Sequence, residues 1–211
     1  YGSKWSPEEG TTDSRRSNGN IRINYGFSPI TVFSWAYNYS DTRYKEREPI
    51  SRQSVSIGIR QYITQLFYIN GRIGMDYSSS STNNTKVEAS LTGPIDEKTA
   101  LNIAYLKGDE ISSDREDLFR NWRVTGSLTR ELSEDLISSL SGFYGEGKFV
   151  DLDVIDSLLG VSLNITYDFW EDKKGKSIRG NVGYTYSDLS STDENRSYSR
   201  SGVTLGLTVG F

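Results

Sequence analysis

Residues 21–39 read Ile-Arg-Ile-Asn-Tyr-Gly-Phe-Ser-Pro-Ile-Thr-Val-Phe-Ser-Trp-Ala-Tyr-Asn-Tyr. Ile21, Ile23, Tyr25 and Phe27 alternate with Arg22, Asn24 and Gly26. After Ser28 and Pro29 the beat resumes, with Phe33, Trp35, Tyr37 and Tyr39 set against Ser34, Ala36 and Asn38. A strand turns successive side chains to opposite faces, so a period of two predicts two strands, each apolar on one face and polar on the other. A tight turn over 28–32 joins them. The apolar spacing of a helix, at i, i+3 and i+4, is absent here and from the rest of the chain.

The same beat continues outward in both directions. It predicts strands at 21–27, 33–39, 55–59, 67–77, 87–91, 101–105, 122–128, 136–144, 159–169, 178–186 and 203–211. Tyr1, Ser3 and Trp5 read as the end of a twelfth strand, cut short. Across the eleven spans, the face that holds Ile21 carries no charge, and only Ser138 departs from apolar, aromatic or glycine residues. The opposite face is mostly Ser, Asn, Thr, Gly and Arg, with Tyr68, Ile137 and Phe143 as its bulky apolar members.

A soluble β-sandwich also alternates, but the connections here keep a rhythm. Tight turns fall at 28–32, 60–66, 92–100, 129–135 and 170–177. Longer polar loops fall at 6–20, 40–54, 78–86, 106–121, 145–158 and 187–202. An up-and-down barrel across a membrane has this form, short turns on one side and long loops on the other. No stretch approaches the roughly 20 apolar residues of a membrane helix. In hydrocarbon every backbone amide and carbonyl must be paired within the protein, so strands cross only as a closed barrel. The apolar face must then look out at lipid and the polar face inward, which lets a chain with mean hydropathy of −0.56 reside in a membrane. Aromatic residues sort accordingly. Phe27, Phe33, Phe67, Phe169 and Phe211 gather at the turn end, while Tyr39, Tyr77, Tyr105, Tyr144 and Tyr186, with Trp122, gather at the loop end, as two interfacial girdles would.

Thr204, Gly206, Val209 and Phe211 stand in the order polar-x-Gly-x-x-apolar-x-aromatic. This resembles the terminal β-signal of Gram-negative outer-membrane β-barrels. The resemblance implies an all-β, antiparallel, up-and-down transmembrane barrel of about twelve strands in the bacterial outer membrane. It also implies a last strand that pairs with the first, and as partners the barrel assembly machinery and the surrounding lipid and lipopolysaccharide. Single-chain bacterial barrels have even strand numbers. Residues 1–211 therefore read as one barrel domain with a truncated first strand, or as the C-terminal part of a larger barrel. No secretory leader opens the sequence, which reads as mature or trimmed.

The inward face carries Arg22, Arg52, Arg60, Arg72, Lys86, Arg123, Arg179 and Arg200 against Asp76, Glu88 and Asp168. The whole chain is at −4, so the inside is basic while the remainder is acidic, with Glu8, Glu9, Asp13, Asp109, Glu110, Asp114, Glu116, Asp117, Asp151, Asp153 and Asp156 on predicted loops. Two readings stay open for the inward arginines. They could line a channel that favours small polar or anionic solutes, or they could pair with the three acids and plug the barrel. Asp151, Asp153 and Asp156 have a spacing that could hold Ca²⁺, though the glycine and distal glutamate of an EF-hand are missing. The chain has no Cys and no His. Disulfides, thiolate metal sites and covalent haem are excluded, and no Ser-His or Asp-His arrangement can be built, so no enzyme and no cofactor are expected. Net negative charge argues against nucleic acid. The alternative to a channel is a closed scaffolding barrel that engages a protein partner in an export or electron-conduit complex.

Overall fold

A computed structural model describes residues 14–44, 48–79, 83–112, 117–171 and 177–210. Eleven strands follow in chain order: β1 Ser14–Ser28, β2 Thr31–Tyr44, β3 Ile50–Tyr62, β4 Tyr68–Ser78, β5 Asn84–Asp96, β6 Thr99–Ser112, β7 Asp117–Ser133, β8 Leu136–Phe149, β9 Ile155–Glu171, β10 Ser177–Ser191 and β11 Tyr198–Gly210. They form one sheet in the order of the sequence, and every neighbouring pair is antiparallel. The chain is thus an all-β, up-and-down meander. Tyr1, Ser3, Trp5 and the proposed short strand lie outside the described residues, as does Phe211.

Register turns the alternation into continuous belts. Ile23 faces Trp35, Trp35 faces Ile57, Ile57 faces Ile73, and Ile73 faces Val87. Further round, Leu101, Leu128, Leu140, Leu163, Tyr184 and Val203 form a second such row. A dry centre would bury these side chains, and it does not exist: Ile23 is 59% exposed, Trp35 39%, Leu163 38% and Leu205 76%. On the polar side Ala36, Ser54, Ser56 and Asp76 are buried instead. The sheet therefore curls with its polar face concave. An Arg16 side chain on β1 that reaches the backbone of β6 requires the same curl.

Two expectations need correction. The long polar loops are mostly strand. Strands run from 11 to 17 residues, and the segments between them at the former loop end are only 45–49, 79–83, 113–116, 150–154 and 192–197. Ladder hydrogen bonds join backbone to backbone, so pairing continues where the apolar contrast fades. The strands therefore rise as hairpins well past the apolar belt. The other correction concerns the acidic loop residues, three of which are buried (below).

β1 and β11 are the outermost strands, and among the described residues no ladder joins them. Both run in the same direction, since each is odd-numbered in an alternating series. Exposure is greatest on these flanks, with Leu205 at 76%.

Candidate functional site

All eleven ionisable residues assigned to the inner face fall on the polar register of their strands. Arg72 faces Glu88, Glu88 faces Leu106, and Leu106 faces Arg123, one row across the concave wall. Arg52 and Arg60 lie on β3, Asp76 on β4, Lys86 on β5, Asp168 on β9, Arg179 on β10, and Arg22 and Arg200 on the outermost strands. The structure brings several together. Arg52 Nη2 lies 2.9 Å from Asp76 Oδ1. Arg72 and Lys86 share Glu88 at 2.6 and 2.9 Å. Arg179 grips Asp168 through Nε and through Nη2, the latter at 3.0 Å. Arg60 instead lays its guanidinium over the Tyr68 ring, 4.9 Å from the centroid. Arg22 and Arg123 are exposed, with no ion pair among the described residues. Among the described residues Arg52, Arg72, Lys86 and Arg179 are matched by carboxylates while Arg22, Arg60 and Arg123 are not; pairing and an open basic lining coexist.

The site has a part that the sequence reading missed. The ladder between β5 and β6 ends at Val87–Lys107, but β6 continues paired to β7 as far as Ser112–Asp117. Beyond Lys107 the β6–β7 hairpin leaves the wall and leans over the concave face. The Asp109 amide donates to Asp76 Oδ2 at 3.0 Å, reaching past β5 to β4. Asn84 Nδ2 and Arg120 Nε donate to Asp109 Oδ1 at 2.6 and 3.1 Å. Arg16 Nη2, on the far side, donates to the Ile111 carbonyl at 2.7 Å. These contacts turn the hairpin into a flap across one end of the curled sheet.

The flap has a rigid base. The carboxylate of Asp117, wholly buried, accepts from the amides of Leu118, Asp151 and Leu152. Leu118 and Phe149 are buried beside it. Asp109, Asp117 and Asp156 are thus interior groups, not solvated loop charges. Each of Asp109 and Asp156 brings its own arginine, Arg120 at 3.1 Å and Arg196 at 2.8 Å, so the excess of basic residues on the inner face stands. For Asp156 a signal was available: continuing the alternation of β9 back from Leu158 places it inward. The Ca²⁺ spacing does not become a site. Asp153 pairs with Lys148 and Asp156 with Arg196, and no group of three acids converges among the described residues. Asp114 and Glu116, with Glu8, Glu9 and Asp13, lie outside those residues.

Of the residues resembling an assembly signal, Thr204 and Gly206 lie on the polar face of β11, and Val209 lies on its apolar face. The side chain of Asn181 covers Gly206 where a Cβ would stand.

No protein-family model and no curated protein matches the chain. Solved structures do. The outer membrane channel DcaP of Acinetobacter baumannii superposes with a TM-score of 0.57 at 15% identity, over 89% of this chain and 60% of that one. The chain therefore spans 60% of the length of that channel structure. The NanC porin and the KdgM porin align at 12% and 10% identity with TM-scores of 0.43 and 0.36, covering 94% of this chain and 97% and 98% of theirs. The antiparallel up-and-down fold of this chain is shared with the DcaP channel structure.

Proposed function

We propose that the chain forms part of the wall of a bacterial outer-membrane channel for small polar or anionic solutes. The observation that carries this is the inversion of the sheet. Ile23, Trp35, Leu163 and Leu205 look outward with no protein over them, while charge and hydrogen-bonding groups occupy the concave side. Hydrocarbon is the solvent in which such a surface is stable. The fold shared with an outer membrane channel supports the same reading. The inner wall is wet, lined by Ser, Asn and Thr, with arginines that set a positive potential. Arg22, Arg60 and Arg123, which have no carboxylate partner among the described residues, are the selectivity residues in this reading. The paired Arg52, Arg72, Lys86 and Arg179, with Asp76, Glu88 and Asp168, hold the wall in shape. Arg200 joins the lining of β11. Completion of the barrel by an odd number of further antiparallel strands gives an even total, whether twelve or more. The lipid and lipopolysaccharide of the outer membrane surround it, and the assembly machinery reads Thr204, Gly206, Val209 and Phe211.

The experiment is reconstitution of the full-length protein in planar bilayers under a salt gradient. Discrete conductance with a reversal potential on the anion side is expected. Silence from correctly folded protein refutes the channel. The flap gives specific support to a second reading, a closed scaffolding barrel whose occluded end engages a protein partner. Under that reading the folded protein is silent and co-purifies with its partner.

A further inference from the structure

Beneath the flap lies a cavity of about 340 Å³. Its lining is rich in aromatic rings. Phe119 of β7, Phe143 of β8 and Leu158 of β9 form the walls, beside Arg123 and Asp156. Glycines shape the space. A Cβ at Gly147 would overlap the Phe119 ring, and one at Gly160 would overlap the Phe143 ring. Both rings therefore occupy the space that a glycine leaves open on the neighbouring strand, and Phe149 packs against Phe119 with ring centroids 4.6 Å apart. The register explains the floor. Gly145 stands between Arg123 on β7 and Leu158 on β9, and Gly147 stands between Asn121 and Asp156. Arg123 and Asp156 thus flank a glycine strip from two strands away, roughly 10 Å apart across the sheet.

These two residues are chemically complementary. Arg123 is exposed and makes no ion pair among the described residues, although Glu110 and Glu146 line the same cavity. Asp156 is 5% exposed; its Oδ2 accepts from Arg196 at 2.8 Å, but its buried Oδ1 has no hydrogen-bond partner among the described residues. A buried carboxylate oxygen without a donor is costly and marks a place for one. The planar guanidinium suits a carboxylate. We propose that this cavity binds a small zwitterion with a flat apolar body, of the size of an aromatic amino acid. Its carboxylate lies on Arg123, its ammonium on Asp156 Oδ1, and its body between Phe119 and Phe143. The inference deepens the channel reading, on which it rests for transport; binding itself does not depend on conduction.

The test is calorimetric titration of the full-length protein in detergent with phenylalanine, with 3-phenylpropionate, which lacks the amine, and with phenethylamine, which lacks the carboxylate. Phenylalanine is expected to bind at least tenfold more tightly than either. Arg123→Gln should remove that advantage over phenethylamine, and Arg130→Gln, at the other end of β7 and outside the cavity lining, should leave it intact. Heat-modifiable migration on a gel shows that each variant is folded. Equal or tighter binding of 3-phenylpropionate overturns the proposal, as does undiminished phenylalanine binding in folded Arg123→Gln, or no binding of any probe. Conductance of the same preparation in bilayers is read separately. A conducting protein that binds no probe sinks this proposal alone, and a silent protein that binds phenylalanine sinks the channel alone.

Discussion

Asp76 ties the flap to the wall, and replacing it with Asn should release the flap without changing the shape of the side chain. The carboxylate is wholly buried. Oδ1 takes Arg52 Nη2 at 2.9 Å, and Oδ2 takes the Asp109 amide at 3.0 Å. A hydrogen bond to a charged group contributes about 1.5–3 kcal/mol, a neutral one about 0.5–1.5 kcal/mol. In Asp76→Asn the flap contact therefore weakens by about 1–2 kcal/mol, which multiplies the population of the lifted flap by about 5–30. Arg52 is left with a buried charge and no counter-ion, a loss of about 3–5 kcal/mol in global stability. The two effects separate in hydrogen exchange read by mass spectrometry. Amides of 107–112 should exchange about 5–30 times faster, while those of 53–59, deep in the β2–β3–β4 ladder, should change only through global unfolding. In bilayers the open-state conductance or its lifetime should rise. If 107–112 keeps its protection while the unfolding midpoint falls, Asp76 is a wall residue only, and the tie assigned to it does not exist.

On the outward face, Leu205→Arg should destabilise the protein by about 2–4 kcal/mol in vesicles, and Thr204→Arg, one residue away on the other face, by far less; urea titration compares them. Arg60→Gln should shift the reversal potential toward cations more than Arg72→Gln, because Arg72 is already matched by Glu88 at 2.6 Å. Asp117→Asn should loosen 150–153, where its carboxylate holds the Asp151 and Leu152 amides, and limited proteolysis should then cut there first. Gly74→Ala should lower the yield of folded protein, since a Cβ would overlap the Val55 carbonyl and Ser56.

Where one side of a strand is greasy and the other wet, the sequence carries its own register, and Ile21 through Tyr39 announces both strand and facing. That contrast names the belt residues and places Arg52, Arg72 and Asp168 on the inner side. It fades where both faces are polar, so the upper halves of β2, β6 and β7 read as loop although their backbones stay paired. The position of Asp109 was out of reach for another reason. Its odd number puts it on the outward beat, and it turns inward only because β6 departs from β5 after Lys107. The cavity was half legible. Phe143 stood out as a bulky inward residue, but Phe119 and Phe149 belonged to segments without a readable face, and the glycines beneath Phe119 and Phe143 matter only once strand is laid against strand.

β1 and β11 ascend side by side in sense, so zipping them together would need a parallel seam in an otherwise antiparallel wall. Each also presents, among the described residues, a column of amides and carbonyls without a ladder partner, and oil penalises every such group by several kcal/mol. Neither flank can enter the bilayer bare. In the channel reading proposed above, both flanks must be paired before the greasy belt leaves water, so pairing of β1 and β11 belongs to the same event as insertion.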